Sequence, residues 1–190
     1  MQEAIHMTIE KMLVVSDIHG ALSGARAVIE AAEHHQTERI LCLGDILYHG
    51  PRNDVPADYA PKKVIEIMNS LKDRIIAVRG NCDAEVDQMV LSFPVMSDTN
   101  TLYLGNRRLV MSHGHVYGPD HLPFLSEGDI FLSGHTHVPT AYYRDGICLL
   151  NPGSVSLPKQ NYPASYGVID ESGFTVFDLQ NQPFMSVSWR

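Results

Sequence analysis

Apolar runs and helical patterns alternate along the first part of the chain. Compact apolar runs cover residues 12–16, 39–43 and 74–78. After the first two runs, apolar side chains recur on one helical face, over residues 22–32 and 64–71, and Pro61 suits the start of the second helix. A repeated order of strand, loop and helix predicts that the three strands pair in parallel.

The remainder of the chain has strand-like runs with short connections and no comparable helical pattern. We predict strands over residues 101–104, 107–112, 130–133, 141–144, 147–150, 165–169 and 174–178. The tail FMSVSW, residues 184–189, is interpreted as an edge strand, with a contact surface for another chain as the alternative. The second half is therefore predicted to be mostly β.

Length and composition favour one domain. A chain of 190 residues with 44% hydrophobic and 19% charged side chains can bury a sizeable core but leaves little room for two domains. We therefore expect a single domain over residues 1–190. Residues 1–11 are interpreted as an extension, either native or added during cloning. They lack the basic and apolar regions of a signal peptide.

Charge and cysteine content limit the partners. A formal net charge of -8 disfavours nonspecific binding to a nucleic-acid polymer or an anionic membrane, although a small anionic substrate remains compatible with it. No apolar run approaches the length of a membrane span. Cys42, Cys82 and Cys148 are an odd, widely separated set, which favours a reduced, cytoplasmic protein. A homo-oligomer is left open.

Side chains that can bind metal follow the predicted strands. They are Asp17 and His19 in SDIHG, Asp45 in LGDILYHG, Asn81 in RGNCD, His113 in MSHGHVYG, and His135 and His137 in SGHTH. Because the carboxyl ends of strands in an open α/β sheet share one edge, these distant residues are expected to become neighbours. Alternate residues of an extended chain also point the same way, so the last two histidines can aim at one point.

Each of these residues also has an explanation that needs no metal. Asp17 could cap the following helix, Asp45 could stabilise a turn, Asn81 could occupy a left-handed turn position, and His113 could be a solvated loop residue. A metal site explains all of them together, including their position at strand ends. The residues alone leave open whether one ion or two would bind.

The motifs D-x-H, G-D, G-N-x-D, H-G-H and G-H-T-H, in this order, resemble those of the calcineurin-like metallophosphoesterases. The resemblance covers roughly residues 12–156, which include the first six residues of NPGSVSLPK. The loops GDILYHGPRN and RGNCDAEVDQM are similar to those of the small bacterial YfcE-type phosphodiesterases. This resemblance implies an α/β fold in which a two-sheet β-sandwich is flanked by helices, in four αββα layers.

The resemblance also implies a ligand set. It assigns Asp17, His19 and His137 to one divalent ion, Asn81, His113 and His135 to a second, and Asp45 to the bridge between them. Imidazole, carboxylate and carboxamide ligands suit Mn, Fe, Co, Ni or Zn, and the resemblance favours Mn. Two ions about 3.5 to 4 Å apart can hold a hydroxide nucleophile and clamp the phosphoryl oxygens.

The implied activity is hydrolysis of small phosphodiesters, with Asp45 and Asn81 as catalytic residues. Many family members carry a histidine after the metal-binding asparagine, whereas this chain has Cys82. A neutral thiol is a poor proton donor and adds no positive charge beside a monoester dianion. Diesters with good leaving groups are therefore the expected substrates.

Two other functions compete with this one. A phosphomonoesterase, including a protein phosphatase, would have to compensate for the missing histidine. A non-catalytic scaffold of the same fold, like the retromer subunit, would not need the intact ligand set. Residues expected near the substrate are Cys82, Asp83, His115, His49, Arg52 and Asn53. For Asp83 the alternatives are that it orients a ligand or balances charge, and for His115 that it supports a ligand or is an exposed histidine.

Overall fold

The computed structural model describes residues 9–190, so the interpretation of residues 1–11 as an extension falls mostly outside the described residues. The strands are β1 Met12–Val15, β2 Arg39–Cys42, β3 Ile75–Ala77, β4 Thr99–Leu104, β5 Arg107–Ser112, β6 Ile130–Leu132, β7 Thr140–Arg144, β8 Ile147–Asn151, β9 Ser165–Asp170, β10 Gly173–Asp178 and β11 Pro183–Ser188. The helices are α1 Leu22–His34, α2 Pro61–Ser70 and α3 Glu85–Gln88, with a 3₁₀ turn at Lys72–Arg74.

The first sheet has the strand order β11-β10-β9-β1-β2-β3. β1, β2 and β3 pair in parallel, as the sequence pattern predicted. β9, β10 and β11 extend the sheet in antiparallel fashion on the other side of β1. The tail thus forms an edge strand, which confirms its interpretation.

The second sheet has the order β4-β5-β6-β8-β7. Its three central strands, β5, β6 and β8, are parallel, and antiparallel strands β4 and β7 form the two edges. This arrangement keeps the most apolar strands in the middle, since all residues of β6 are buried.

The two sheets share a core. Alternate residues of β1 point to opposite faces, so Met12 and Val14 pack with Leu109 and Leu132 of the second sheet. The intervening residues, Leu13 among them, pack on the side that carries α1 and α2. The expected two-sheet sandwich with flanking helices is confirmed.

The strand directions determine where polar loops gather. β1, β2 and β3 of the first sheet and β5 and β6 of the second end in loops that meet at one end of the sandwich. Both sheets therefore contribute side chains to the same place. None of the helices within residues 9–190 is long and apolar enough to cross a membrane.

Candidate metal centre

The loops after the strands hold their polar residues in an unusual backbone conformation. Asp17, His19, Asp45, His135 and His137 all have positive φ angles, between 51° and 65°. Residues with side chains rarely adopt this region, and holding one there costs about 1–3 kcal/mol. Such strain persists where the surrounding structure overdetermines the conformation, and here it coincides with the candidate ligands.

Two glycines allow these loops to touch. A Cβ atom at Gly134 would lie 1.9 Å from Ser16 Oγ, and a Cβ atom at Gly80 would lie 2.0 Å from Asp45 Oδ1. Neither position can accept a side chain without moving its neighbour. The loop after β6 is thus pressed against Asp17, and the loop after β3 against Asp45.

Two carboxylates are buried at the centre of the site. Asp17 Oδ2 accepts hydrogen bonds from Ser16 Oγ at 2.6 Å and from the His135 backbone N–H at 3.0 Å. Asp17 Oδ1 is buried without a hydrogen-bond donor. Asp45 Oδ1 accepts from the Cys82 backbone N–H at 2.7 Å. Each aspartate therefore leaves one oxygen for the histidines and for a cation.

Three histidines are held in a single tautomer by backbone carbonyls. His19 Nδ1 donates to Tyr48 O at 2.8 Å, His113 Nδ1 to Leu43 O at 2.7 Å, and His137 Nδ1 to Leu157 O at 2.5 Å. A carbonyl can only accept, so the proton of a neutral ring must sit on Nδ1. The Nε2 lone pair of each ring then points to the centre of the site, as in histidines that bind metal.

One group of ligand atoms surrounds Asp17 Oδ1. His137 Nε2 lies 3.2 Å from this oxygen and His19 Nε2 lies 3.5 Å from it. The two Nε2 atoms are 3.2 Å apart. Ligand atoms about 2.1 Å from one ion are about 3 to 3.4 Å apart at octahedral or tetrahedral angles. The spacing therefore fits a shared divalent ion.

A second group surrounds His113. Its Nε2 atom lies 3.1 Å from Asn81 Oδ1, 3.3 Å from His135 Nδ1 and 3.4 Å from Asp45 Oδ2. The same Asp45 oxygen is 3.7 Å from His19 Nε2, so it lies between the two groups. The structure thus brings together all seven residues that the sequence proposed as ligands.

The shifted pKa values of the buried groups show that this centre stabilises positive charge. Burial opposes ionisation of Asp17, but His113, His137 and His19 hold the pKa of Asp17 well below its ordinary value. Burial also opposes a charged His113, yet Asp17 and Asp45 raise the pKa of His113 to about 9. Burial and the neighbouring His113 lower the pKa of His135 to about 4. The two carboxylates therefore favour a positive charge at this point, which a divalent ion can supply.

The donor set fits divalent metal ions. Ligand atoms of Asp17, His19 and His137 lie within 4.8 Å of one another, and so do those of Asp17, Asp45 and His113. Imidazole nitrogen with carboxylate and carboxamide oxygen suits Mn, Fe, Co, Ni or Zn. The Asp17 oxygen without a hydrogen-bond donor and the inward Nε2 lone pairs of the three histidines are the atoms that would coordinate such an ion.

Asp83, which the sequence placed near the substrate, lies behind the ligand loops. Its buried carboxylate accepts hydrogen bonds from the backbone N–H groups of Asp45 at 2.8 Å, Ile46 at 2.9 Å and Gly80 at 2.8 Å. Burial raises the pKa of Asp83. This side chain joins the loop after β2 to the loop after β3.

Serines that the sequence reasoning missed support Asp17. Ser154 Oγ and Ser156 Oγ both donate to the Asp17 carbonyl, at 2.8 Å each. Asn151 Nδ2 donates to the Gly134 carbonyl at 2.8 Å. Asn151, Ser154 and Ser156 all belong to the segment NPGSVS, which the sequence analysis had noted. No pattern within that segment indicates which loop it would contact.

A cleft of about 310 Å³ opens over the ligands. It is lined by Asp45, Arg52, Asn53, Asn81, His135, Thr136, His137 and Lys159. Arg52 and Asn53 therefore lie where the sequence expected them. Thr136 and Lys159 are additions from the structure: they lie within the motifs SGHTH and NPGSVSLPK, but the sequence analysis assigned neither of them a role.

The other expected substrate neighbours do not line this cleft. Cys82 is half-buried, with its sulfur within 4.8 Å of ligand atoms of His19 and Asp45, and burial together with the Asp45 charge raises its pKa to about 12. The His115 ring centroid is 5.4 Å from that of His113. His49 packs against two tyrosine rings beside the site.

Comparison with known proteins agrees with the fold and the residue cluster. Residues 11–173 match the Calcineurin-like phosphoesterase superfamily domain, and the chain belongs to this family. Phosphodiesterase YfcE of Escherichia coli (strain K12) is 45% identical over 176 residues, which cover 93% of this chain and 96% of that protein. The family resemblance drawn from the sequence motifs is confirmed.

Solved structures give the same result. The structure of Yfce, a phosphoesterase from E. coli, superposes with a TM-score of 0.92 at 44% identity and covers 95% of this chain and 100% of its own. Vacuolar Protein Sorting 29 from Cryptosporidium parvum superposes with a TM-score of 0.63 at 18% identity, over 95% of this chain and 99% of its own. The second likeness concerns the fold alone.

Replacing Asp83 tests how the ligand loops are held. Asp83→Asn places an amide NH₂ among three backbone N–H donors, so we expect affinity for Mn²⁺ to fall by about 10- to 100-fold. Isothermal titration calorimetry of metal-free protein measures this, and exposed Asp73→Asn serves as the control. Wild-type affinity in a folded Asp83→Asn protein would show that Asp83 does not support the ligands.

Proposed function

We propose that this protein is a metal-dependent phosphodiesterase that hydrolyses small phosphodiesters. The observation that carries the proposal is the convergence of imidazole, carboxylate and carboxamide groups on two buried aspartates beneath an open cleft. The relative at 45% identity, named phosphodiesterase YfcE, supports the same activity.

The ligand set proposed for this site holds two divalent ions, with Mn²⁺ preferred. Asp17, His19 and His137 would hold one ion, Asn81, His113 and His135 would hold the other, and Asp45 would contribute to both. Support for the bridge comes from Asp45 Oδ2, which faces His113 at 3.4 Å and His19 at 3.7 Å. When bound, such ions supply Lewis acidity and lower the pKa of water, which provides a nucleophile at neutral pH.

The side chains of the chain orient the reaction. Asn81 and His135 reach the cleft from opposite sheets, where each can position a phosphoryl oxygen. The Nδ1 hydrogen bonds of His19, His113 and His137 fix the imidazoles before substrate binds. Because the imidazoles are already oriented, they need to move little when charge develops on the phosphoryl group.

Cys82 favours diesters over monoesters. With its pKa raised to about 12, the thiol stays protonated at neutral pH and is too weak an acid to protonate a basic leaving group. It also adds no positive charge beside a monoester dianion.

A non-catalytic scaffold is disfavoured by the same residues. A non-catalytic scaffold does not require five strained loop residues and three histidines fixed with their Nε2 lone pairs inward.

For the location we propose the cytoplasm, where free thiols are stable. All three cysteines are unpaired, and Cys42 and Cys148 are buried in strands.

Removal of metal should abolish the activity. Chelator-treated protein is expected to hydrolyse an aryl phosphodiester at background rate, and added Mn²⁺ is expected to restore turnover, because no side chain in the site replaces the nucleophile. Release of p-nitrophenol measures the rate, with metal content determined on the same samples. Full activity in metal-free protein would contradict the mechanism.

Asp45→Asn should reduce kcat/KM for the diester by about a hundredfold or more, because it removes the charge shared by both ligand groups. Cys42→Ala is the matched control: this side chain is fully buried in β2, so the change should lower the unfolding free energy and leave activity nearly intact. Equal losses of activity in the two variants would mean that Asp45 is misassigned.

Cys82→His should shift the preference toward monoesters. An imidazole at this position introduces a proton donor with a pKa near neutrality, next to Asn81. Without an orienting partner, it should raise the monoester-to-diester ratio of kcat/KM by about a hundredfold or less. Paired assays on aryl monoester and diester at identical metal content test this. A flat or falling ratio would show that Cys82 does not face the leaving group.

A further inference from the structure

Two cations from separate loops line the mouth of the cleft. Arg52 belongs to the loop that follows Asp45, and Lys159 lies between β8 and β9, far along the chain. Both are exposed, and within residues 9–190 neither lies within ion-pairing distance of a carboxylate. Four other arginines are paired: Arg39 with Glu10, Arg79 with Asp98, Arg108 with Asp129 and Arg144 with Asp120. The charges of Arg52 and Lys159 are therefore free for a ligand.

A hydrogen bond anchors the loop that carries each of these two cations. The Lys159 N–H donates to the His137 carbonyl at 3.3 Å, which places this residue directly beside a candidate ligand. Asn53 Nδ2 donates to the His49 carbonyl at 2.8 Å and closes the loop that carries Arg52. Each flexible side chain thus starts from an anchored position at the cleft.

The charge balance leaves these cations in excess of what a simple diester needs. Two divalent ions would bring four positive charges against the two carboxylates of Asp17 and Asp45 and a hydroxide nucleophile, and the remaining positive charge already matches the single negative charge of a phosphodiester. Asp45 is the only acidic residue that lines the cleft within the described chain. The chain has a formal net charge of -8, yet Arg52 and Lys159 add two unpaired positive charges at the mouth of the cleft. These charges favour a ligand with a further negative group.

We propose that the substrate is a phosphodiester that carries a second anionic group, a phosphate or a carboxylate, which Arg52 and Lys159 bind at the mouth of the cleft. The guanidinium fork matches the paired oxygens of either group, and the lysine ammonium adds a point charge. This inference rests on the proposed phosphodiesterase activity and specifies the class of substrate.

A matched series of substrates tests the inference. The probes are p-nitrophenyl phosphodiesters of one short alcohol that ends in a methyl ester, a carboxylate or a phosphonate. Wild-type protein loaded with Mn²⁺ should show a kcat/KM about tenfold higher for the carboxylate and phosphonate probes than for the methyl ester, mainly through a lower KM. Added salt should reduce this preference, because exposed charges are screened.

Neutral replacements identify the residues responsible. Arg52→Gln and Lys159→Gln should each lower the anionic-to-neutral ratio of kcat/KM by about three- to tenfold, and the double variant should remove most of the preference. Lys63→Gln removes an exposed lysine on α2, outside the cleft, and should leave the ratio unchanged. Circular dichroism and metal content verify that each variant is folded and loaded.

Two results would overturn the inference while leaving the phosphodiesterase proposal intact. One is an equal kcat/KM for neutral and anionic probes in the wild type. The other is a uniform loss on all probes in the Arg52 and Lys159 variants, which would place these cations on the reacting phosphoryl group. If Mn²⁺-loaded wild type hydrolyses no probe at all, the proposed function fails and this inference fails with it.

Discussion

The buried carboxylates of Asp17 and Asp45 require compensating positive charge, and the other residues of the site are arranged around them. Asp17 is fully buried and Asp45 is 2% exposed, and an ion taken out of water costs several kcal/mol unless it is paired. One oxygen of each is satisfied by hydrogen bonds, while the other faces imidazole nitrogens. Positive charge must therefore be supplied at this point, by protons on histidine or by divalent cations. Cations satisfy both carboxylates and free the imidazoles to act as ligands.

The fold brings the ends of five strands together around these two carboxylates, two of those ends carrying the carboxylates themselves. β1, β2 and β3 bring the aspartates and Asn81 from one sheet, while β5 and β6 bring three histidines from the other. The core between the sheets, which includes Val14, Leu109 and Leu132, holds the two sets of loops in fixed positions. Glycines at positions 80 and 134 then allow backbone contact at the seam. The strained φ angles are the local consequence of forcing these loops onto one centre.

Much of this was accessible from the sequence, for identifiable reasons. The apolar runs before SDIHG, LGD and RGN predict strands whose ends must share an edge, so the ligands could be named before their distances were known. The division into two ligand groups came from family resemblance, because alternation of His135 and His137 predicts convergence but not the number of ions.

Other features depend on contacts that periodicity does not encode. Asp83 was expected near the substrate or as a residue that orients a ligand, but its hydrogen bonds to three amides of two loops could not be predicted, because they depend on how β2 and β3 pair. Lys159 ends the motif NPGSVSLPK, but nothing in that motif predicts the hydrogen bond to the His137 carbonyl or the position of Lys159 at the cleft. Ser154 and Ser156 were visible as part of a motif, but their shared acceptor on Asp17 was not.

Anomalous diffraction from crystals of Mn²⁺-loaded protein tests the central claim most directly. The account predicts two anomalous peaks about 3.5 to 4 Å apart on either side of the Asp45 carboxylate. One should contact Asp17, His19 and His137, and the other Asn81, His113 and His135. A single peak that does not touch Asp45, or peaks outside this cluster, would contradict the claim that the two buried carboxylates organise a dinuclear centre.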